Sequence, residues 1–198
     1  IVDDLGESDK WKNLVNLTYA DYLHKSDFLE LLLEGEFDDG LAAIVHLGAC
    51  SSTTERDAGY LAENNYRYTR HLAEWCLEHN VRLIYASSAA TYGEGESGFS
   101  DDIDLLPSLR PVNMYGYSKH MFDLWALRSG ALAGIVGVKF FNVFGPGEYH
   151  KGSMRSMVVK AFEQIRSTGG VRLFRSNDPS FGDGEQRRDF IYVKDAVR

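Results

Sequence analysis

Short apolar runs alternate with segments of helical spacing along most of this chain. The runs have the length and the β-branched or aromatic content of buried strands, and the intervening segments repeat apolar residues every three or four positions. The predicted strands cover 1–4, 41–47, 81–86 and 135–141, and the predicted helices cover 66–79, 117–129 and 153–167. Strands that alternate with helices are typical of a parallel sheet, so the pattern predicts an α/β fold.

Hydroxyl side chains collect where the strand over 81–86 ends. Ser87, Ser88 and Thr91 follow its last apolar residues. In an open parallel sheet, ligands bind beyond the carboxyl ends of the strands, so these hydroxyls are predicted to face an active-site crevice. The segment 142–146, which follows the next strand, would reach the same crevice.

A tyrosine and a lysine are spaced as a proton-transfer pair. Tyr115 lies four residues before Lys119, which places both side chains on one face of a helix. A phenol with a pKa of roughly 10 is a weak base at neutral pH, and a nearby ammonium favours the phenolate. Tyr117 lies only two residues from Lys119 and projects elsewhere. The spacing alone equally admits a tyrosine and a lysine that share a helix by chance.

Three motifs carry a resemblance to a known family. They are Ser-Ser-Ala at 87–89, Tyr115-x-x-x-Lys119 and Phe-Asn-Val-Phe-Gly-Pro at 141–146. Together they resemble the extended short-chain dehydrogenase/reductase family, which contains nucleotide-sugar epimerases and dehydratases. Further stretches resemble its branch of ADP-L-glycero-D-manno-heptose 6-epimerases: His-Leu-Gly-Ala-Cys-Ser-Ser-Thr-Thr-Glu at 46–55, Asn64-Asn65-Tyr66, Tyr-Gly-Tyr-Ser-Lys at 115–119, His-Lys-Gly-Ser-Met at 150–154 and Arg-Arg-Asp-Phe-Ile-Tyr-Val at 187–193.

The resemblance implies a Rossmann-like, doubly wound parallel sheet with a smaller C-terminal substrate domain. It divides the chain into a dinucleotide-binding domain at 1–145 and a partial substrate-binding region at 146–198. The chain has 198 residues, of which 44% are hydrophobic, and this is enough for one well-buried domain. It opens in what resembles the end of a strand and stops as a helix begins. We therefore expect a fragment truncated at both ends, without the first strand and the glycine-rich phosphate loop.

Two acidic residues bear on the choice of cofactor. Asp3 and Asp4 close the opening strand, where such folds place a carboxylate against the adenosine ribose, and a carboxylate there favours NAD. The resembled branch commonly uses NADP, with Asn at the position of Asp4 and lysines equivalent to Lys10 and Lys25. These lysines would have to offset repulsion between Asp4 and a 2′-phosphate. On balance the resemblance favours NADP, with NAD as the alternative.

The resemblance also implies two sets of binding residues. Besides Asp3, Asp4, Lys10 and Lys25, the dinucleotide would be contacted by Leu47, Gly48, Ala49, Cys50, Ser51, Asn64, Tyr115, Lys119, Val143 and Lys151. The nucleotide sugar would be contacted by Ser88, Asn142, Ser153, Lys160, Phe174, Arg175, Ser176, Asn177 and Arg188. Relatives often carry His at the position of Lys160 and Glu-Gly-Ser at 175–177, so the nucleotide side is the less closely matched part.

The implied reaction interconverts ADP-D-glycero- and ADP-L-glycero-D-manno-heptose for the lipopolysaccharide core. The nicotinamide would take hydride from carbon six of the heptose and return it to the other face of the resulting ketone, with no net consumption. The two half-reactions handle protons on opposite sides, so two acid–base groups are expected. By resemblance these are Tyr115 and Lys151, with Lys119 tuning Tyr115 and Ser88 hydrogen-bonding the reacting oxygen.

Two other functions stay open. One is a 4-epimerase or dehydratase of the same superfamily, although a dehydratase usually has an acid pair after the catalytic Ser or Thr, where this chain has Ala89-Ala90-Thr91. The other is a non-catalytic dinucleotide-binding sensor or scaffold, which would not need an intact set of Ser88, Tyr115 and Lys119.

Composition argues against several other classes of protein. Two cysteines and six histidines show no metal-ligand spacing, so no metal site is expected. Nothing resembles a signal peptide or a membrane span, and a reduced cytoplasm is the expected compartment. A net charge of −8 offers no broad basic surface for nucleic acid or an anionic membrane. By resemblance we expect a homo-oligomer, specifically a pentamer.

One glycine motif resembles a phosphate loop but is not predicted to be one. Gly93-Glu-Gly-Glu-Ser-Gly98 matches G-x-G-x-x-G, but two carboxylates lie inside it and no helical period follows. A phosphate loop requires a helix that opens from the glycines, so that free N–H groups meet the phosphate. A loop over the substrate side is the preferred interpretation.

Overall fold

The computed structural model describes residues 1–37 and 40–198, which form two compact units. The first unit contains 1–4 and 19–140, and the second contains 5–18 and 141–198. The division falls after Phe140 instead of Gly145, and it groups 5–18 with the later part of the chain. The assignment of a cofactor-binding and a substrate-binding part stays a prediction.

The first unit is built on parallel strands. Its strands are β1 (Val2–Asp3), β2 (Leu23–His24), β3 (Ala43–His46), β4 (Arg82–Ser88) and β5 (Ile135–Phe140). Its α-helices are α1 (Lys25–Leu33), α2 (Ala58–Leu61), α3 (Tyr68–Glu78) and α4 (Met114–Ser129). β1 pairs in parallel with β2, and β4 pairs in parallel with both β3 and β5. The predicted α/β class with parallel pairing is confirmed.

The core of the first unit lies between β4, α3 and α4. Phe122 and Ala126 of α4 are buried with Leu72 of α3 and Leu83 and Tyr85 of β4. Each fully buried large apolar side chain stabilises the fold by roughly 1.5 to 3 kcal/mol. This packing fixes α4 against the strand whose carboxyl end carries the predicted hydroxyls.

Helix α4 begins earlier than predicted. The Asn113 side chain accepts a hydrogen bond from Gly116 N at 2.8 Å and so caps a helix that starts at Met114, three residues before the predicted start. Gly116 permits a close approach, because a Cβ there would lie 2.7 Å from the carbonyl oxygen of Ala90. Tyr115 therefore lies in the first turn of α4, beside the turn that follows β4.

The helix predicted over 66–79 begins earlier, at Ala58, and includes an unpredicted π-helical turn. Residues 62–67 form π-helix between α2 and α3, and the chain remains helical from Ala58 to Glu78. A π-helical turn is rare and frequently lies at a functional site. Here it places Asn64 and Asn65 on the side of the loop that follows β3, as the contacts below show.

The second unit is smaller and less buried. It contains β6 (Asn142–Phe144), β7 (Phe190–Tyr192), α5 (Met157–Thr168) and α6 (Val193–Ala196). β6 and β7 pair in parallel. The predicted helix over 153–167 is instead a 3-10 turn at 149–154 followed by α5, because Ser156 caps α5 by accepting a hydrogen bond from Val159 N. Across the described parts of both units, every helix is too short or too polar to cross a bilayer.

Candidate active site

Ser88 and Tyr115 meet at the carboxyl end of β4. The Ser88 side chain acts on the Tyr115 phenol, and Ser88 Oγ accepts a hydrogen bond from Ala90 N at 3.1 Å. Burial raises the pKa of Tyr115, the interaction with Ser88 lowers it, and the nearby Cys50 raises it further, with a raised pKa as the net result. In this environment the phenol is a proton donor.

Lys119 is buried one turn further along α4. Its Nζ donates a hydrogen bond to the carbonyl oxygen of Ala86 at 2.9 Å. Burial lowers the pKa of Lys119 to about 8, against the opposing effects of Asp123 and Cys50. Burial is the largest effect on the Tyr115 pKa, and the Lys119 ammonium is directed to a backbone carbonyl, so the tuning of Tyr115 by Lys119 stays a prediction.

The loop after β3, predicted to line the dinucleotide, is fixed by a residue to which the sequence analysis assigned no role. The Asn65 carboxamide accepts from Cys50 N at 2.8 Å and donates to Cys50 O at 2.9 Å. It also donates to Ser118 Oγ at 3.0 Å, and that hydroxyl donates to Tyr115 O. Asn65 thus joins the Cys50 loop to the helix of the proton-transfer pair. Its place in the Asn64-Asn65-Tyr66 motif was the sequence signal.

A second polar cluster lies where β1 and β2 end. Lys25 Nζ donates to Asn64 Oδ1 at 2.8 Å and lies 3.6 Å from Asp4 Oδ2. The Asp3 backbone carbonyl accepts a hydrogen bond from Tyr22. The structure therefore brings together Asp4, Lys25 and Asn64, three of the residues that resemblance implies for dinucleotide binding.

The remaining predicted residues lie in the second unit. Lys151 belongs to the 3-10 turn at 149–154, which the buried Glu148 holds by accepting hydrogen bonds from Gly145 N, Ser156 N and Ser156 Oγ. Burial acts to raise the pKa of Glu148, but these hydrogen bonds and the Lys151 charge keep it below its ordinary value. The Glu148 carboxylate thus anchors the segment that carries Lys151.

Other second-unit residues have partners of their own. Lys160 Nζ donates to Ser153 O, Asn142 Nδ2 donates to Asp189 O, and Arg188 donates to Arg187 O. In the loop between α5 and β7, Ser176 N donates to the Asp183 carboxylate and Ser176 Oγ donates to the carbonyl oxygen of Asp178. Val143 pairs with Ile191 in the sheet, and Lys10 lies in a 3-10 turn at 9–14. The structure places Phe174, Arg175 and Asn177 on the surface loop between α5 and β7, with Phe174 and Arg175 exposed.

The glycine motif at 93–98 is not a phosphate loop. Gly93, Gly95 and Gly98 all have positive φ, and residues 99–102 are not helical, so no helix opens from the glycines. This confirms that the motif is a loop without a phosphate-binding helix, and its place over the substrate side stays a prediction. Glu94 and Glu96 line a pocket of about 260 Å³ together with Tyr92, Ser97, Ser108, Arg110, Pro111 and Val112.

A sequence profile of the NAD dependent epimerase/dehydratase family matches residues 1–198. The chain belongs to this family. A relative from Nitratidesulfovibrio vulgaris Hildenborough named ADP-L-glycero-D-manno-heptose-6-epimerase is 58% identical over 197 residues, which cover 100% of this chain and 61% of the relative. A relative of the same name from Fusobacterium nucleatum is 50% identical over 200 residues, which cover 100% of this chain and 60% of the relative. The chain thus spans about three fifths of the length of these relatives.

Solved structures agree with the fold. The ADP-L-glycero-D-manno-heptose-6-epimerase of Helicobacter pylori matches 99% of this chain and 60% of its own, with 26% identity and a TM-score of 0.79. The UDP-N-acetylglucosamine 4-epimerase of Methanobrevibacter ruminantium M1 matches 99% of this chain and 61% of its own, with 27% identity and a TM-score of 0.75. The Rossmann-like α/β fold is confirmed.

Membership of this family implies a nicotinamide dinucleotide, and the first unit fits one. Leu47 is more than half exposed although it is apolar, and a Cβ added at Gly48 would have its nearest neighbour 4.0 Å away. This leaves open space for a flat ring beside the Cys50 loop. Lys119 offers an ammonium donor and Asp4 a carboxylate acceptor, which are the groups that ribose hydroxyls require.

Proposed function

We propose that the protein containing this chain is an ADP-L-glycero-D-manno-heptose 6-epimerase, an isomerase with a bound nicotinamide cofactor. The observation that carries the reaction type is the interaction of Ser88 with Tyr115 at the end of β4, beside the buried Lys119. The name shared by relatives at 50% and 58% identity supports the nucleotide-sugar substrate. Two free cysteines support a reducing cytoplasm, and we extend the proposal to a homo-oligomer, a pentamer by family resemblance.

The proposed chemistry divides proton handling between two groups. When bound, the nicotinamide supplies a reversible acceptor for the hydride from carbon six of the heptose. Ser88 orients the reacting oxygen, and Tyr115 moves the hydroxyl proton on one side of that carbon. Lys119 holds the nicotinamide ribose. Lys151 moves the proton on the other side, because one base cannot reach both faces of a carbonyl.

The substrate-binding side of the proposal rests on the second unit. Asn142, Ser153, Lys160, the 174–177 loop and Arg188 would contact the nucleotide sugar, and their cationic and amide groups suit a diphosphate. Val143 and Lys10 would complete the dinucleotide site. A 4-epimerase is the second candidate, since a solved UDP-sugar 4-epimerase has nearly the same TM-score as the heptose enzyme.

The deciding experiment uses protein expressed from the complete gene. Mass spectrometry should identify a nicotinamide dinucleotide retained by the purified protein, and ADP-D-glycero-D-manno-heptose should be converted into its 6-epimer. Conversion of a UDP-sugar in place of the ADP-heptose would move the assignment to a 4-epimerase. Retained dinucleotide with no conversion of either substrate would favour a sensor or scaffold.

We propose that the protein prefers NADP, although Asp4 opposes binding of the 2′-phosphate. Asp4 directs a carboxylate toward Lys25 at 3.6 Å, and it would repel a 2′-phosphate. We expect Asp4→Asn to raise affinity for NADPH relative to NADH by about tenfold, or about 1.4 kcal/mol, because Lys25 then faces the phosphate without a competing anion. Fluorescence titration with both reduced dinucleotides measures this ratio.

The control for this prediction is Asp27→Asn. Asp27 is an exposed carboxylate in the first turn of α1, so the change removes the same charge from the same region. An unchanged NADPH to NADH ratio in Asp4→Asn, or an equal rise in Asp27→Asn, would show that Asp4 does not govern the choice of dinucleotide.

A further inference from the structure

A third ionisable residue continues the face of α4 that carries the proton-transfer pair. Asp123 lies four residues after Lys119 and eight after Tyr115, so the three side chains follow one stripe of the helix. Asp123 is only 2% exposed. A carboxylate is costly to bury unless it is paired and hydrogen-bonded, and the contacts of Asp123 show how this cost is offset.

Strand β4 supplies two hydroxyl donors to Asp123. Tyr85 OH donates to Oδ1 at 3.0 Å, and Ser87 Oγ donates to Oδ2 at 2.8 Å. Lys119 binds the carbonyl oxygen of Ala86 between them. Three successive residues of β4 are therefore attached to α4 immediately before Ser88.

The positive partner of Asp123 comes from β5. Lys139 Nζ forms an ion pair with Asp123 Oδ2 and donates a hydrogen bond to Thr91 Oγ1 at 2.7 Å. Thr91 in turn donates its hydroxyl hydrogen to the carbonyl oxygen of Ser88 at 2.8 Å. A continuous chain of polar contacts thus runs from Asp123 through Lys139 and Thr91 to the backbone of Ser88.

Asp123 also supplies negative charge to the surroundings of Lys119. The titratable groups that act on Lys119 or respond to it are Asp123 on α4, Cys50 on the loop after β3 and His46 on β3. Tyr115 lies one turn before it on α4. His46 is buried with a pKa lowered to about 3 by burial and by the Lys119 charge, so it adds no second positive charge at neutral pH. Asp123 is the carboxylate in this set.

We propose that Asp123, paired with Lys139, is a positioning residue that holds the Ser88 end of β4 against α4 and supplies the negative charge facing Lys119. The pair has two effects that can be separated experimentally. Its hydrogen bonds fix the position of Ser88, and its charge favours the protonated form of Lys119. The inference rests on the proposed roles of Ser88, Tyr115 and Lys119.

Substitutions of Asp123 and of Lys139 should shift the alkaline limb of the pH–activity profile in opposite directions. Lys119 loses its proton as the pH rises through its pKa, and the Asp123 charge raises that pKa. In Asp123→Asn the charge is gone, so the limb should move to lower pH by roughly 0.5 to 1 unit. In Lys139→Met the carboxylate is no longer neutralised, so the limb should move to higher pH.

The measurement has two readouts in protein expressed from the complete gene. One is the pH dependence of kcat for epimerisation, and the other is the pH dependence of NADPH affinity by fluorescence. The second does not require turnover, so it tests the role of Asp123 even if the ADP-heptose assignment fails. Failure of epimerisation in the wild type with intact opposite shifts in NADPH affinity would reject only the proposed function.

Tyr85→Phe is the matched control, because it removes a hydrogen bond to the same carboxylate without changing any charge. It should lower the unfolding temperature and leave both pH profiles unchanged. Lys139→Arg keeps the positive charge and should retain the wild-type pH profiles. Unshifted profiles in Asp123→Asn and Lys139→Met, or shifts in one direction for both, would overturn the proposal. If Asp123→Asn does not fold, the upward shift in Lys139→Met decides alone.

Discussion

Tyr115→Phe should reduce epimerisation by at least roughly 10²-fold to 10⁴-fold, the range typical of a lost general acid–base group. The change keeps the half-buried ring and removes the hydroxyl that interacts with Ser88. Dinucleotide binding should survive, since Lys119 and the Cys50 loop are left intact. Steady-state conversion of ADP-D-glycero-D-manno-heptose and fluorescence titration with NADPH measure the two effects separately.

Tyr117→Phe is the matched control for this experiment. Tyr117 lies on the same helix but is 48% exposed, and its side chain projects away from Lys119. Its loss of a hydroxyl should leave turnover unchanged. Turnover of Tyr115→Phe within a few-fold of the wild type would remove Tyr115 from the proton-transfer role, and an equal loss in both variants would indicate a general effect on α4.

Lys151→Met should block interconversion of the heptose epimers while leaving binding of cofactor and ADP-sugar largely intact. Met retains an apolar stem and loses only the ammonium. Proton transfer needs a heavy-atom approach of about 3 Å or one bridging water, so Tyr115 cannot replace a base on the opposite face of the carbonyl. We expect a loss of roughly 10²-fold or more in kcat, measured alongside equilibrium binding of ADP-heptose.

Lys12→Met controls for the loss of a lysine from the second unit. Lys12 is exposed and pairs only with the neighbouring Asp9 at 2.8 Å among the ion pairs of the described residues, so its removal should not affect turnover. Near-normal conversion by Lys151→Met would reduce Lys151 to a surface or phosphate contact. Conversion of UDP-glucose in place of ADP-heptose would retire the heptose assignment.

Local spacing was sufficient to locate the centre of the candidate site. The four-residue interval between Tyr115 and Lys119 and the hydroxyls after an apolar run are consequences of helix and strand periodicity. The structure confirms β4 as a parallel strand and brings Ser88 into contact with Tyr115. These features depend on neighbours in sequence or on one parallel sheet, so the spacing of apolar and polar residues predicts them.

Features that depend on distant side chains could not be predicted in the same way. The Lys119 ammonium is directed to Ala86 O, and Asp123 is paired with Lys139 from β5. Neither partner follows from periodicity, because both depend on how α4 packs across the sheet. The contacts of Asn65 were missed for a related reason, since the π-helical turn that orients it has no distinct hydrophobic pattern.

The π-helical turn at 62–67 constrains the number of residues in this part of the chain. A π-helical turn contains one more residue than an α-helical turn, and here two consecutive carboxamides bond different partners: Asn64 accepts from Lys25, and Asn65 holds the Cys50 backbone. If Asp4 and Lys25 take the adenosine ribose while the Cys50 loop lines another part of the dinucleotide, two consecutive side chains of this turn support both segments. Substitutions of exposed side chains in this turn are compatible with that geometry, but an insertion or deletion would rotate one asparagine away and uncouple the two segments.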